Sequence, residues 1–211
     1  PVEAHLVPDS LGRVGRAIGV RAANLVQYKA LLESWGSRMW SHYTGMLVWK
    51  TQNPWPGLRG QFYDHLLDVT GALYGARSAC EPVHVQLNLA SGHVEVVNCG
   101  RGDILGPAAR VDFSLVTVEG AAVAAGALPV APLPAGGVLD AGELPGRPFA
   151  PGPTVFAFLR LWGSPPGAPP GAPERLLSRN VYWLHAPGGG YGKRRSSQKP
   201  RFHWDFGNFF L

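Results

Sequence analysis

The spacing of apolar residues along the chain changes once, near its middle. Leu25, Tyr28, Leu32, Trp35 and Met39 fall three or four positions apart, so they share one face and predict an amphipathic helix over 24–40. Asn24 followed by Gln27 resembles a capping box at its start. Gly45-Met46-Leu47-Val48-Trp49 is a short apolar run without alternation, as expected of a parallel strand covered on both faces. Asn53-Pro54-Trp55-Pro56-Gly57 then forces a loop. Phe62, Leu66, Val69, Leu73 and Ala76 predict a second helix over 60–79. Helix, buried strand, loop and helix make one slice of an α/β barrel or a doubly wound sheet.

At Glu81-Pro82 the period becomes two. Residues 83–89 alternate, Ala90-Ser91-Gly92 turns the chain, and 93–98 follow, which predicts a β-hairpin. Further strands are expected at 109–118, 121–130, 153–162 and 177–185. Several short strands with turn signals and no helix imply a β-sandwich of about one hundred residues.

Composition refines this picture in three places. Of the 48 glycines and prolines, 20 fall between Gly126 and Gly171, a stretch expected to form loops and short strand edges. The formal charge of +5 is concentrated at the end: residues 193–211 carry +4, leaving +1 for the rest. A nearly neutral body with a basic tail argues against a nucleic-acid-binding domain. No apolar run reaches membrane-spanning length, and PVEAHLVPDS has neither the basic start nor the apolar segment of a signal peptide. The start without Met is expected to lie within a longer protein. Cys80 and Cys99 make no disulfide framework, and no Cys/His pattern suggests a metal or cofactor.

Several strings together resemble one family. LVWKTQNPWPGLRGQFYDHLL, ALYGARSACEPVHVQLNL, VEVVN and, further along, SRNVYWLH resemble glycoside hydrolase family 2, and within it the plant endo-β-mannosidases. NLVQYKALLESWGSRMWSHYTG upstream resembles the same proteins. The resemblance covers roughly residues 20–187, with a poor match through the Pro/Gly-rich 120–152. It implies the C-terminal end of a (β/α)8 TIM barrel over 1–80 and an immunoglobulin-like β-sandwich over 81–187. A basic, disordered tail over 188–211 is expected to follow. Met46–Trp49 would be barrel strand eight and 60–79 helix eight. The family's catalytic and sugar-binding domains would precede this chain. The implied partners are the missing N-terminal domains and a carbohydrate, a β-mannoside of N-glycan-derived oligosaccharides. No nucleic acid, membrane or cofactor is implied.

A retaining glycosidase needs two carboxyl groups about 5 Å apart, set at the C-terminal ends of barrel strands. The one barrel strand expected here has no Asp or Glu close behind it, so no catalytic residue is assigned. Asp64 and Asp68 would share the outer face of helix eight, and Glu33 is read as solvated in the same way. Trp49 is the leading substrate-binding candidate. The resemblance places it at the end of strand eight, in the floor of the sugar subsite, where an aromatic face suits the C–H face of a pyranose; a barrel-core tryptophan is the competing role. Gln52 and Asn53 could bond sugar hydroxyls or serve the turn before Pro54. Trp55 could line outer subsites or pack the loop. Lys50 and Arg59 are lesser candidates, and Trp35, Trp40 and Trp162 are expected in the core. The alternative function is a non-catalytic sandwich that binds carbohydrate or protein.

Overall fold

The structure is a computed structural model that describes residues 12–56, 61–104, 109–145, 154–164, 168–169 and 172–184, the side chains of 12–18 excepted. The chain divides into two compact units, Pro1–Glu81 and Pro82–Leu211. The expected tail over 188–211 lies outside the described residues.

The first unit holds two helices, α1 (Gly12–Arg38) and α2 (Gly71–Ala79). Because α1 begins at Gly12, Asn24 lies in its interior and is buried, so the expected cap is not one. The predicted stripe faces inward, with Leu32 and Met39 buried and Leu25, Tyr28 and Trp35 half-buried. Glu33 departs from its expected solvated role. It is buried and paired with buried Lys29 one turn away at 3.9 Å. Burial holds the Lys29 ammonium below its ordinary pKa, and Glu33 partly offsets this.

The helix expected over 60–79 shrinks to α2. Residues 61–70 instead form a compact loop, because Asp64 offers its neighbours a local alternative to helical bonding. Its Oδ1 accepts from the backbone N–H of Leu66 (2.8 Å) and of Asp68 (3.0 Å). Leu67 takes a positive φ of 68°. Thr70 then caps α2, its Oγ1 accepting from the Ala72 N–H at 3.2 Å. Two glycines let α2 lie close on α1. A Cβ added to Gly71 or Gly75 would strike the carbonyl oxygen of Arg21 or Leu25, respectively. Gly75→Ala is therefore expected to destabilise this unit, although alanine favours helix over glycine by about 1 kcal/mol. Far-UV circular dichroism melts of the chain check this. A raised midpoint would show that the helices do not touch there.

The strand expected at 45–49 is not formed. Residues 45–48 carry no regular structure, and Leu47 and Trp49 are 101% and 95% exposed. A strand exists only through a ladder partner, and none pairs with this segment among the described residues. Trp40, expected in the core, is 57% exposed.

The second unit is a sandwich of two antiparallel sheets, built from seven strands among the described residues. They are β1 (Val83–Leu87), β2 (His93–Asn98), β3 (Arg110–Thr117), β4 (Ala122–Pro129), β5 (Gly137–Glu143), β6 (Val155–Gly163) and β7 (Arg175–Leu184). One sheet has the order β1-β2-β5 and the other β4-β3-β6-β7. The predicted hairpin is β1–β2, with Val85 opposite Val96. Its turn is held by Asn88, whose Oδ1 accepts from the N–H of Ala90 (3.1 Å) and Ser91 (3.2 Å), with Gly92 at φ 79°. Strand β5 lies in the Gly/Pro-rich stretch and carries no clean alternation, so the pattern did not predict it. It forms by pairing with β2, across a bulge at Val94/Glu95. The core between the sheets is made by inward positions of β1 and β2, among them Val85, Val94 and Val96, packed against those of β3 and β6, among them Val111, Phe113, Leu115, Leu159 and Leu161. Trp162, expected in that core, is half-buried on the opposite face of β6, with the Arg110 guanidinium 6.0 Å from its ring centroid.

One edge of the sandwich is closed by side chains instead of a ladder. Asn88 N–H donates to His93 O (2.9 Å), and hydrogen bonding alternates along β1, so the backbone groups of Val85 and Leu87 turn away from β2. Strand β7 receives them. Val85 N–H donates to Ser178 Oγ (3.2 Å) and Leu87 N–H to the Tyr182 hydroxyl (3.0 Å). Asn180 Nδ2 donates to Val85 O and to the Tyr182 hydroxyl, both at 2.8 Å. All three of these β7 side chains are buried.

Candidate functional site

The four candidate substrate-binding residues lie in the stretch between the helices of the first unit. Residues 51–53 are anchored beside 61–63. Tyr63 N–H donates to Thr51 O (3.0 Å), Asn53 N–H donates to Tyr63 O (3.5 Å), and Gln52 and Tyr63 form a parallel bridge. Residues 61–63 are themselves fixed: the Thr70 hydroxyl donates to Gln61 O, Thr70 N–H donates to Phe62 O (3.0 Å), and the Phe62 ring packs on Tyr28 with centroids 5.0 Å apart. The anchor therefore runs from α1 through Phe62 and Tyr63 to the loop.

The candidates separate into two kinds on this anchor. Trp49, Gln52 and Trp55 are exposed, the tryptophans at 95% and 69%. Asn53 is buried, and its Nδ2 donates to Trp55 O at 2.8 Å. Its amide N–H is thus directed at the loop backbone, the turn role expected before Pro54. The structure brings Asn53 and Trp55 together through that bond and sets Gln52 beside them. Among the described residues no hydrogen bond or ring contact joins Trp49 to the other three. The Trp49–Lys50 peptide is cis. Lys50 is half-buried, and Arg59 lies outside the described residues. Sequence reasoning missed Gln61 and Tyr63 as supports; their only signal was membership of the string GQFYDHLL.

Chemically, the segment presents two indole rings and one primary amide to solvent, groups that stack on and hydrogen-bond to a neutral polar ligand. Asp64 does not act as a free carboxylate, since one oxygen already accepts two backbone N–H groups. No cluster of three or more metal-ligating side chains occurs among the described residues. Cys80 and Cys99 form no disulfide, and partial burial pushes the Cys80 thiol up, away from the reactive thiolate. No described helix is long and apolar enough to cross a membrane.

Comparison with known proteins says what this arrangement belongs to. Over 167 residues, 78% of this chain, the sequence is 46% identical to mannosylglycoprotein endo-β-mannosidase from Lilium longiflorum. Over 110 residues, 47% of the chain, it is 36% identical to exo-β-D-glucosaminidase from Streptomyces avermitilis. The chain belongs to glycoside hydrolase family 2.

Structural likeness agrees with family 2. A crystal structure of the Amycolatopsis orientalis exo-chitosanase superposes with a TM-score of 0.65 at 28% identity, over 81% of this chain and 20% of that one. A β-D-mannosidase from Dictyoglomus thermophilum superposes at 0.63 over 87% of this chain and 21% of that one; at 15% identity it speaks for the fold alone. No family model matches the chain. This family 2 chain is short: it spans 16% of the lily protein and 12% of the Streptomyces one.

Proposed function

We propose that this chain is the C-terminal part of a retaining β-glycoside hydrolase that acts on β-mannosides, the Manβ1-4GlcNAc unit of N-glycan-derived oligosaccharides. The observation that carries this reading is the 46% identity to the lily endo-β-mannosidase over 78% of the chain. Residues 1–80 are then the end of the catalytic barrel, with Met46–Trp49 at the place of its last strand, which forms only against barrel neighbours from the rest of the protein, and 81–187 an immunoglobulin-like sandwich. Two features of the first unit support the barrel reading. Its apolar segment 45–49 has no ladder partner among the described residues, and Trp40, Trp49 and Trp55 face solvent, as expected of elements whose neighbours lie elsewhere in a longer protein.

In the intact enzyme Trp49 stacks on the sugar, Gln52 hydrogen-bonds its hydroxyls and Trp55 lines an outer subsite. Asn53 holds the Trp55 backbone in place. The nucleophile and the acid/base come from earlier barrel strands, since double displacement needs two carboxyl groups about 5 Å apart. The chain by itself is therefore inert. Two assays test the reading. Purified 1–211 should not turn over an aryl β-mannoside, and the full-length protein should release mannose-containing product from a Manβ1-4GlcNAc oligosaccharide. Turnover by the short chain would overturn the missing-carboxylate argument. A full-length protein inactive on that oligosaccharide but active on another β-glycoside would overturn the sugar assignment.

A further inference from the structure

Residues 51–53 hang on 61–63, and 61–63 are gripped along both edges. On one edge, Tyr63 N–H donates to Thr51 O (3.0 Å) and Asn53 N–H donates to Tyr63 O (3.5 Å). On the other, Tyr63 bridges Val69 in the antiparallel sense. The bonds that flank this bridge run from Thr70 N–H to Phe62 O and from Asp64 N–H to Asp68 O, both 3.0 Å. The result is a narrow ladder of three segments, with 51–53 at one margin and 68–70 at the other.

Thr70 makes two of the holds on the second margin. Besides its N–H, its hydroxyl donates to Gln61 O. Gln61 is buried, so water is a poor substitute for that hydroxyl. The same oxygen accepts from Ala72 N–H at 3.2 Å, which makes Thr70 the N-cap of α2. A threonine hydroxyl has one proton to give and lone pairs to receive with, so a single side chain serves both directions. Behind it, α2 has no room to move towards α1. A Cβ built on Gly71 would lie 2.0 Å from Arg21 O, and one on Gly75 2.1 Å from Leu25 O. Thr70 carries that fixed position to 61–63, and the ladder carries it on to Gln52 and Asn53. The Asn53 amide then holds Trp55 O at 2.8 Å. Asp64 is the rival for this role, but its two carboxylate bonds stay within 64–68 and reach neither α2 nor 51–53.

We infer that Thr70 is a positioning residue of the candidate sugar site, its hydroxyl coupling the N-terminus of α2 to the segment that presents Gln52 and Trp55. The role rests on the reading of those two residues as sugar-binding. The N–H and hydroxyl of Thr70 are engaged by Phe62, Gln61 and Ala72, so it acts through the loop and not on the sugar. Its loss therefore weakens binding and leaves the chemical step alone.

The full-length enzyme with Thr70→Val, Thr70→Ser and Trp55→Ala tests this. Valine keeps the shape and removes the hydroxyl, whereas serine keeps the hydroxyl. Thr70→Val should speed amide hydrogen exchange in 51–53. It should also raise KM for a Manβ1-4GlcNAc oligosaccharide roughly three- to tenfold, with kcat changed by less than about twofold, as expected when one neutral hydrogen bond that supports binding is lost. Thr70→Ser should match the parent enzyme in both readouts. A cap that serves α2 alone predicts a lower melting midpoint with unchanged exchange in 51–53 and a normal KM per folded molecule. Unchanged exchange in 51–53, or Thr70→Ser as impaired as Thr70→Val, would overturn the inference. So would faster exchange with a normal KM while Trp55→Ala raises KM. If Trp55→Ala leaves KM unmoved as well, the sugar assignment fails, and exchange in 51–53 alone decides the role of Thr70.

Discussion

Trp49→Ala in the full-length enzyme is expected to lower kcat/KM roughly tenfold to a hundredfold while leaving the denaturation midpoint nearly unchanged. Losing an aromatic face against a sugar ring removes on the order of 1–3 kcal/mol, by analogy with stacking on other ring ligands. The denaturation midpoint separates this expectation from its rival. A core tryptophan replaced by alanine costs about 3–5 kcal/mol of stability. In this chain the side chain is 95% exposed, so the two roles are told apart in the full-length protein, where its neighbours are present. The measurement is kcat/KM per folded molecule, taken alongside the midpoint. Normal kinetics with a large fall in midpoint would make Trp49 a packing residue and remove it from the site.

Asn180→Ala is expected to destabilise the sandwich by about 2–4 kcal/mol, a loss typical of buried polar groups stripped of their partner. Asn180 sits in the seam where β1 and β7 meet without a ladder, and its Nδ2 serves both Val85 O and the Tyr182 hydroxyl. Alanine leaves a buried carbonyl unanswered and loosens the hydroxyl that accepts from Leu87 N–H. Ser178→Ala removes one acceptor, for Val85 N–H, and should cost less. Urea denaturation followed by Trp fluorescence and far-UV circular dichroism reads both. Equal stability for Asn180→Ala and the parent chain would show that water replaces the amide, and that the seam does not depend on this side chain.

The sandwich was largely legible because antiparallel strands with one buried face carry their period in the sequence, and β3 and β6 alternate as expected. Two parts were not. Strand β5 has no clean alternation and gains its structure from β2, a contact that no local pattern encodes. In β7 the sequence could not say which face turns inward. Leu177, Val181 and Trp183 look as apolar as their neighbours, yet Ser178, Asn180, Tyr182 and Leu184 are the buried set. Burying the polar side chains is sensible only once β1 supplies backbone groups for them to bond.

In the first unit, local chemistry won over periodicity. The stripe Phe62, Leu66, Val69 and Leu73 has helical spacing, but Asp64 bonds two backbone N–H groups and Thr70 caps a helix that begins at Gly71. Leu66 and Val69 are left exposed, at 70% and 40%. For the candidate site, residue type was informative and side-chain environment was not. Trp49, Gln52 and Trp55 are open to solvent, whereas Asn53 is drawn inward by a bond to the carbonyl two residues on. That difference comes from the anchoring of 51–53 on 61–63, which sequence spacing alone does not reveal.

The central claim, that this chain is a piece of a longer family 2 hydrolase, is tested most directly by reading the transcript upstream of Pro1. The expected result is an open frame continuous with Pro1 that encodes the earlier strands of a (β/α)8 barrel, two of them ending in glutamate. A frame that starts just before Pro1, or one that continues upstream without those two glutamates, would contradict it.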